Sequence, residues 1–438
     1  MYPDEFWTRF CQKKISIRVK VTFISSVIFG MAAHMFMMTN KLPNYDDVHC
    51  LLDDYGSGIE FGRWMLFILG NIMRRTIGNI SLPWINGLIC IVILSITSVV
   101  VVDVLEIRSK MLCCLISAIM VSFPSVTGTL FFMYTAIYYC MAALMMALAI
   151  KCTKDCKYGY IYGAFMIAAG IGIYQAYFAW GVSLALLFLI SESLKNSVKG
   201  VAIFRLGIKY LIVLVCGLLI YIVCVQLFLP IKGGELSEYQ GLSQMTQFSI
   251  HDAPGLILRA YQNYFALMYK KFEGLNGFWL IRISIIVLHV IIGILIFYQI
   301  RRNKKECRIL EIAELIGMIL AFPIAVNLIY IMSPDSYIYS IMLFSVVSIY
   351  LLMGVVLERI ANGERISIIC NWIGCILLFV VAICQCQFSN IQYLSMNLQY
   401  EQASSYFTTM VKQIKTYKGN KDTIRMPFIG EPIKALLY

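Results

Sequence analysis

The chain has 438 residues, of which 60% are hydrophobic and 14% are charged, and its formal net charge is +12. A soluble domain carries about 25% charged residues, so this composition, with a mean hydropathy of +0.78, excludes a soluble globular protein. The lysines and arginines lie in short clusters between apolar runs, a pattern typical of the cytoplasmic loops of membrane proteins rather than of a nucleic-acid surface.

Apolar runs of about 18 to 22 residues recur along the chain, which is the length that a helix needs to cross a bilayer. We therefore predict an all-α polytopic membrane protein with about eleven transmembrane helices. The predicted spans are 21–39, 82–102, 111–123, 130–150, 158–173, 176–190, 210–229, 279–300, 309–331, 337–357 and 366–386.

Basic residues flank alternate ends of these spans, which predicts a cytoplasmic N-terminus and an outer tail at 387–438. An even number of spans would place this basic tail inside. Two loops on the predicted outer face are long, 41–80 and 230–278. Each contains an amphipathic stretch, 59–72 and 259–269, that predicts a helix lying along the membrane surface.

The first of these loops is rich in acidic residues. Five carboxylates fall within fifteen positions, those of Asp46, Asp47, Asp53, Asp54 and Glu60. Charges beside a bilayer are costly to maintain without a function. In a carboxylate pair, one group can accept a proton from a hydroxyl while its neighbour positions it or shifts its pKa. The alternative for Asp46 and Asp47 is an ordinary solvated loop, where Asn and Asp are common.

The acidic stretch is followed by Gly62, Arg63 and Trp64. Arg63 can hold a phosphate through two hydrogen bonds, and we assign Arg74 and Arg75 with it as ligands of a donor phosphate or of lipid headgroups. For the tyrosines and the tryptophan an aromatic belt at the membrane surface is the alternative. The residues predicted to contact substrate are Asn44, Tyr45, Trp64, Tyr174 and Gln175.

Little in the sequence indicates a cofactor. Asp46, Asp47, His49 and Asp53 offer oxygen and imidazole ligands for a divalent cation, but their spacing matches no familiar metal site, so we predict neither a metal nor another cofactor. The 15 cysteines are scattered through apolar segments and imply no disulfide framework. A glycine-rich phosphate loop is absent, which argues against a nucleotide-driven pump.

Four short motifs occur in a fixed order along the chain. They are Asn44-Tyr45-Asp46-Asp47 after the first span, Gly62-Arg63-Trp64, Ser122-Phe123-Pro124 before a tyrosine-rich helix, and Gly172-Ile173-Tyr174-Gln175. Together with Tyr400-Glu401-Gln402-Ala403 in the tail, this order resembles the bacterial and phage-encoded, GtrII-like glucosyltransferases that modify O-antigen, a branch of the GT-C glycosyltransferases. The similarity extends over most of the chain.

The resemblance implies a GT-C-like catalytic domain at 1–386. It implies an inverting transfer of one hexose, with glucose expected, from a polyprenyl-phosphate donor to a cell-surface polysaccharide or lipid-linked oligosaccharide. The reaction would occur at the outer face of the bacterial cytoplasmic membrane, with Asp46 or Asp47 as general base and Arg63 on the donor phosphate. A donor synthase and a flippase are the implied protein partners, and no nucleic acid is expected. The alternatives are a transporter or flippase for a lipid-linked saccharide and a surface-polysaccharide polymerase.

Overall fold

The computed structural model describes residues 2–5, 15–44, 46–47, 58–76, 78, 81–195, 200–232, 236, 252–272, 275–302, 309–334, 336–361 and 363–416. In these ranges all regular secondary structure is helical, which confirms the predicted all-α class. The main helices are α1 Ile17–Thr39, α2 Trp64–Thr76, α3 Pro83–Val104, α4 Lys110–Ser122, α5 Pro124–Leu130, α6 Met133–Asp155, α7 Gly159–Ile173, α8 Tyr177–Ser193, α9 Gly200–Phe228, α10 Ala253–Tyr269, α11 Trp279–Arg302, α12 Ile309–Val326, α13 Ser348–Arg359 and α14 Arg365–Thr416.

Among the described helices, seven are long and apolar enough to cross a membrane: α1, α3, α6, α9, α11, α12 and α14. The pair α4 and α5, which meet at 41°, adds an eighth if it forms one broken span. Helices α7 and α8 are apolar but have only 15 and 17 residues. The chain is therefore a multi-pass membrane protein, while the number of eleven spans remains a prediction.

The segment between the predicted spans 111–123 and 130–150, which the prediction leaves as an outer turn, is itself helical. Phe123 is extended (φ −58°, ψ 137°), since a residue before proline avoids the helical region, and Pro124 has no N–H to offer the preceding turn. The carbonyl of Val121, in the last turn of α4, accepts a hydrogen bond from His34 Nε2 at 2.9 Å. Residues 124–130 form a short helix whose members are all buried, so this segment packs inside the bundle.

Helix α14 is continuous from Arg365 to Thr416, so the predicted boundary between residues 386 and 387 falls inside it. Residues 375–416 contain no Gly or Pro, so nothing in their sequence favours a break. Ser389 and Tyr393 are buried and bond to Thr127 and His34. The first part of the predicted tail thus belongs to the bundle.

The predicted span 337–357 is helical only in its second half. Residues 337–339 have no regular secondary structure, Ser340–Met342 and Phe344–Val347 are single 3-10 turns, and α13 begins at Ser348. This segment packs against α5 and α8, where Ser125 Oγ donates to the carbonyl of Ile341 at 3.2 Å. Side-chain partners of this kind satisfy backbone groups that a regular helix would have paired internally.

One end of the bundle is held together by ion pairs between helix ends. Asp103 at the end of α3 bonds to Arg18 and Lys151. Glu106, in the left-handed conformation with φ 53°, lies 2.8 Å from both Lys154 and Lys195 and 3.5 Å from Arg359. These contacts join α1, α3, α6, α8 and α13. We call this the ion-pair end of the bundle.

We expect Glu106→Gln to lower the thermal unfolding temperature at pH 7. The difference in unfolding temperature between wild type and variant should become smaller as the pH falls. Burial alone would raise the pKa of Glu106. The hydrogen bonds from Lys154 and Lys195 outweigh burial and bring this pKa down to about 2. Because this value lies below the unfolded pKa of about 4.3, the stabilisation is complete above that pKa and is lost as the pH falls towards 2. Unfolding of the detergent-solubilised protein between pH 7 and pH 3 measures this, with Glu401→Gln on the exposed part of α14 as control. A constant difference across this range would contradict the assignment.

Candidate active site

Asp47 lies at the N-terminus of α6, at the end of the bundle opposite the ion-pair end. Its side chain is 4% exposed. One carboxylate oxygen accepts the backbone N–H of Tyr134 at 3.0 Å, and the other accepts the backbone N–H of Asn44 at 3.2 Å. The first amides of a helix have no partner within the helix, and the helix dipole favours a negative charge there. Asp47 therefore fastens the loop after α1 to the start of α6.

For Asp47, the effect of burial outweighs the contacts that favour a negative charge. Burial raises the pKa of Asp47, and the hydrogen bonds from the amides of Tyr134 and Asn44 and from the side chain of Ser81 oppose this only in part. Because the net shift is upward, the carboxyl holds a proton more readily than a solvated aspartate. Such a shift is common at functional sites but also occurs in structural ones.

Asp46 is placed differently from its neighbour. Its backbone N–H donates to Asn44 Oδ1 at 3.0 Å, an arrangement that stabilises a tight turn, and the residue is only half-buried. Of the two adjacent carboxylates, Asp46 is the more accessible from outside the bundle. Of the other residues predicted in this loop, Tyr45, His49, Asp53 and Asp54 lie outside the described residues.

A short 3-10 turn, Ile59–Phe61, ends at Gly62, whose φ of 68° is in the left-handed region. Gln175 holds this turn in place, since its amide nitrogen donates to the carbonyl of Phe61 at 2.6 Å and to the hydroxyl of Tyr221 at 3.1 Å. A Cβ on residue 62 would come within 2.6 Å of that hydroxyl and 2.9 Å of the Gln175 nitrogen. Both the backbone angle and the space therefore require glycine here.

Arg63 follows this turn and lies among tyrosines. Its Nη1 donates to the hydroxyl of Tyr139 at 3.4 Å, and its guanidinium lies 5.0 Å from the ring centre of Tyr174, which stacks on Tyr139 at 4.6 Å. Burial lowers the pKa of Arg63, and the surrounding tyrosines, Tyr139 foremost, raise it above its ordinary value. The half-buried guanidinium is thus held as a fixed cation on an aromatic support.

The carboxylate pair and Arg63 are attached to the same stretch of α6. Asp47 binds the backbone of Tyr134 and Arg63 binds the side chain of Tyr139. These tyrosines are five residues apart, which is about 7.5 Å along a helix axis. A proton acceptor and a cation that reach the same ligand can promote displacement of a phosphate from a sugar.

Of the remaining predicted site residues on α2, Trp64 lies at the start of the helix near Arg63, and Arg74 and Arg75 lie at its far end. Trp64 stacks on Phe228 of α9, with ring centres 5.7 Å apart, and lies next to Arg63. Arg74 and Arg75 are exposed in the last turn of α2. Since Arg74 comes eleven residues after Arg63, the two are about 16 Å apart along the helix. The structure therefore does not bring Arg74 and Arg75 to the Arg63 side chain.

Tyr174 and Gln175 are 6% and 5% exposed, so they support Arg63 and the turn before it from inside the bundle. The supporting residues that sequence reasoning missed are Tyr134, Tyr139 and Tyr221. Their signal was weak: hydroxyls inside otherwise apolar helices, with Tyr134 and Tyr139 noted only as part of a tyrosine-rich helix. In the part of the chain that the structure describes, no three His, Cys, Asp or Glu side chains are placed to hold a metal ion.

Comparison with known protein families gives a match over most of the chain. The family model described as Glucosyl transferase GtrII matches residues 35–356, which is more than half of the 438 residues. The matched range includes both Asp46 and Asp47, the Gly62–Trp64 turn and α6. No curated protein and no solved structure matches the chain.

Proposed function

The chain belongs to the glucosyl transferase GtrII family, and we propose that it transfers glucose with inversion from a polyprenyl-phosphate donor to a saccharide acceptor. The acceptor is a cell-surface polysaccharide or a lipid-linked oligosaccharide. The observation that carries this proposal is the attachment of the Asp46-Asp47 segment and of Arg63 to neighbouring turns of α6.

The proposed reaction is a single displacement at the anomeric carbon of glucose. A hydroxyl oxygen of the acceptor forms the new bond, its proton passes to the carboxylate of Asp46, and the bond between the anomeric carbon and the phosphate oxygen breaks. The electron pair leaves with the polyprenyl phosphate, whose charge Arg63 stabilises. One displacement of this kind inverts the configuration at the anomeric carbon.

Accessibility favours Asp46 over Asp47 as the base. A general base must come within hydrogen-bond distance of the hydroxyl whose proton it accepts. Asp47 is 4% exposed and uses both carboxylate oxygens on backbone amides, whereas Asp46 is half-buried. We therefore assign Asp46 as the base and Asp47 as the residue that positions it.

The surroundings of Arg63 suit a donor carried by a lipid. Helix α9, which contributes Tyr221 and Phe228 to the site, exposes a long apolar face: Leu211, Ile212, Val215, Leu219, Val223 and Leu227 are each more than 45% exposed. Such a face is expected where a helix borders lipid. A polyprenyl chain lying in the bilayer could bring its phosphate to Arg63 from this side.

The distribution of charge supports an outer location for the site. The ion-pair end collects basic residues of α1, α6 and α13 and of the segment just after α8, namely Arg18, Lys151, Lys154, Arg359 and Lys195. Basic residues next to membrane spans favour the cytoplasmic side. The opposite end, with Asp46 and Arg63, is then on the outer face of the bacterial cytoplasmic membrane.

The proposed donor is tested with the purified full-length protein in nanodiscs, radiolabelled polyprenyl-phosphate glucose and UDP-glucose as the competing donor. We expect release of labelled glucose from the lipid donor, to water or to added saccharide, and none from UDP-glucose. Release from UDP-glucose alone would overturn the lipid-donor assignment. The same assay carries the test of Arg63.

We expect Arg63→Lys to lower kcat/KM for the lipid donor at least about tenfold, because an ammonium lacks the paired donors of a guanidinium and its stacking on Tyr174. The matched control is the double variant Arg74→Ala/Arg75→Ala, which removes two exposed cations from the far end of α2. It should change kcat/KM by less than about threefold, as surface charges have small effects. A larger loss of kcat/KM in the control than in Arg63→Lys would show that Arg74 or Arg75, and not Arg63, binds the donor phosphate.

A further inference from the structure

Two exposed tyrosines, Tyr337 and Tyr339, are in contact with each other on the segment that precedes α13. The backbone of Tyr339 is extended (φ −81°, ψ 157°), and in an extended segment neighbouring side chains alternate between opposite sides of the backbone. Tyr337 and Tyr339 are 73% and 48% exposed, while Ile338 packs against the hydrophobic core. The tyrosine rings meet edge to face, with centres 4.7 Å apart and planes at 67°.

The backbone on both sides of this tyrosine pair is fixed. Before it, Ser333 Oγ donates to Ser336 Oγ at 2.7 Å, and Arg259 of α10 donates to the carbonyl of Pro334. After it, the N–H of Met342 donates to the carbonyl of Tyr339 at 3.0 Å. The two rings are therefore presented by an anchored segment, which reduces the entropy that a ligand must remove on binding.

The tyrosine pair lies at the same end of the bundle as the candidate active site. The next residues, Ser340 and Ile341, pack so closely on Gly128 of α5 that a Cβ there would come within 2.9 Å of Ser340 Oγ and 3.3 Å of the Ile341 nitrogen. Gly128 is six positions before Tyr134, whose N–H binds Asp47, and six positions span about 22 Å at most. The pair is thus at the carboxylate end of the bundle without contacting the carboxylates.

We propose that Tyr337 and Tyr339 form a binding surface for the saccharide acceptor, which they hold while its reactive hydroxyl reaches Asp46. This rests on the proposed function to the extent that the acceptor is a saccharide. Tyrosine suits this ligand because its ring offers a flat apolar face to the C–H groups of a pyranose and its hydroxyl offers hydrogen bonds to the sugar. Rigid aromatic side chains also provide contact area at low entropic cost.

A membrane-surface role is the alternative, since tyrosines are enriched where membrane meets water. The chain contains a second pair of exposed tyrosines, two residues apart, that can serve as a control. Tyr160 and Tyr162, 50% and 55% exposed, lie at the start of α7, directly after the end of α6 that carries Lys151 and Lys154. They belong to the ion-pair end, far from the candidate active site. Tyrosines that serve only as membrane anchors would behave alike at both ends.

The test uses the full-length protein in nanodiscs and a panel of immobilised bacterial surface polysaccharides as probes, with no donor present. We expect wild type and Tyr160→Ala/Tyr162→Ala to bind the same polysaccharide with equal affinity. Tyr337→Ala/Tyr339→Ala should bind it about tenfold more weakly, as expected for the loss of central aromatic contacts. Tyr337→Phe/Tyr339→Phe, which keeps the rings, should retain most of the affinity and exclude misfolding as the cause.

Three results would overturn the proposal: unchanged binding by Tyr337→Ala/Tyr339→Ala, equal weakening in the Tyr160→Ala/Tyr162→Ala control, or no binding of any polysaccharide by wild type. The proposed function fails on a different reading, namely wild-type protein that releases no glucose from polyprenyl-phosphate glucose. Binding is measured without donor, so the two failures are distinguishable.

Discussion

Asp46→Asn is expected to lower the rate of glucose transfer at least about 10²-fold, the usual contribution of a general base, and to lower the unfolding temperature less than Asp47→Asn does. The half-buried side chain can become an amide without losing the hydrogen bond between its own backbone N–H and Asn44. Single-turnover transfer from polyprenyl-phosphate glucose, followed with thermal unfolding of the same preparations, measures both quantities.

Asp47→Asn is the informative companion, because it removes the same charge from a buried neighbour. An amide has one accepting oxygen, so either the N–H of Tyr134 or that of Asn44 loses its partner. A buried donor left unpaired costs about 1–3 kcal/mol. We therefore expect a lower unfolding temperature together with reduced transfer. If Asp46→Asn remained active while Asp47→Asn was stable and inactive, the two roles would be reversed.

The grouping of the candidate site was readable in the sequence, because polar residues are rare in this chain and the few that interrupt apolar runs stand out. Arg63 was predicted to bind the donor phosphate and Gln175 to contact substrate, and the structure places Gln175 against the carbonyl of Phe61, one residue before Gly62. Their individual roles were not readable. A polar residue at a helix end can face substrate or a neighbouring turn, and only packing distinguishes the two.

The parts that could not be predicted depend on contacts between distant segments. Hydropathy along the chain reports average polarity, so residues 124–128 resembled a turn although Thr127 and Ser125 find partners on Ser389 and Ile341. In the same way, the acidic loop revealed a carboxylate pair but not that α6 would bind one member and leave the other accessible. The helices are therefore largely determined by local sequence, whereas the candidate site depends on contacts between segments that are distant in the chain.

Gly62→Ala is expected to reduce transfer by about 10²-fold, although residue 62 itself contacts no substrate in the proposed mechanism. Alanine in the left-handed region costs roughly 1–2 kcal/mol, and its Cβ would lie 2.6 Å from the Tyr221 hydroxyl and 2.9 Å from the Gln175 nitrogen. Relief of this overlap must displace the two side chains that hold the turn before Arg63. A displacement of about 1 Å in a positioning element is enough for a loss of this size.

Gly363→Ala separates the two causes. Gly363 also has a left-handed backbone, with φ 77°, but no atom lies within 4 Å of a Cβ built there, and it belongs to the connection between α13 and α14. The control should therefore lose stability as Gly62→Ala does through the backbone while it keeps its transfer activity. Adding Tyr221→Phe to Gly62→Ala removes the closer of the two clashing atoms and should recover part of the lost rate. Equal activity of Gly62→Ala and Gly363→Ala would show that the position of Arg63 does not depend on the packing of this turn against Gln175 and Tyr221.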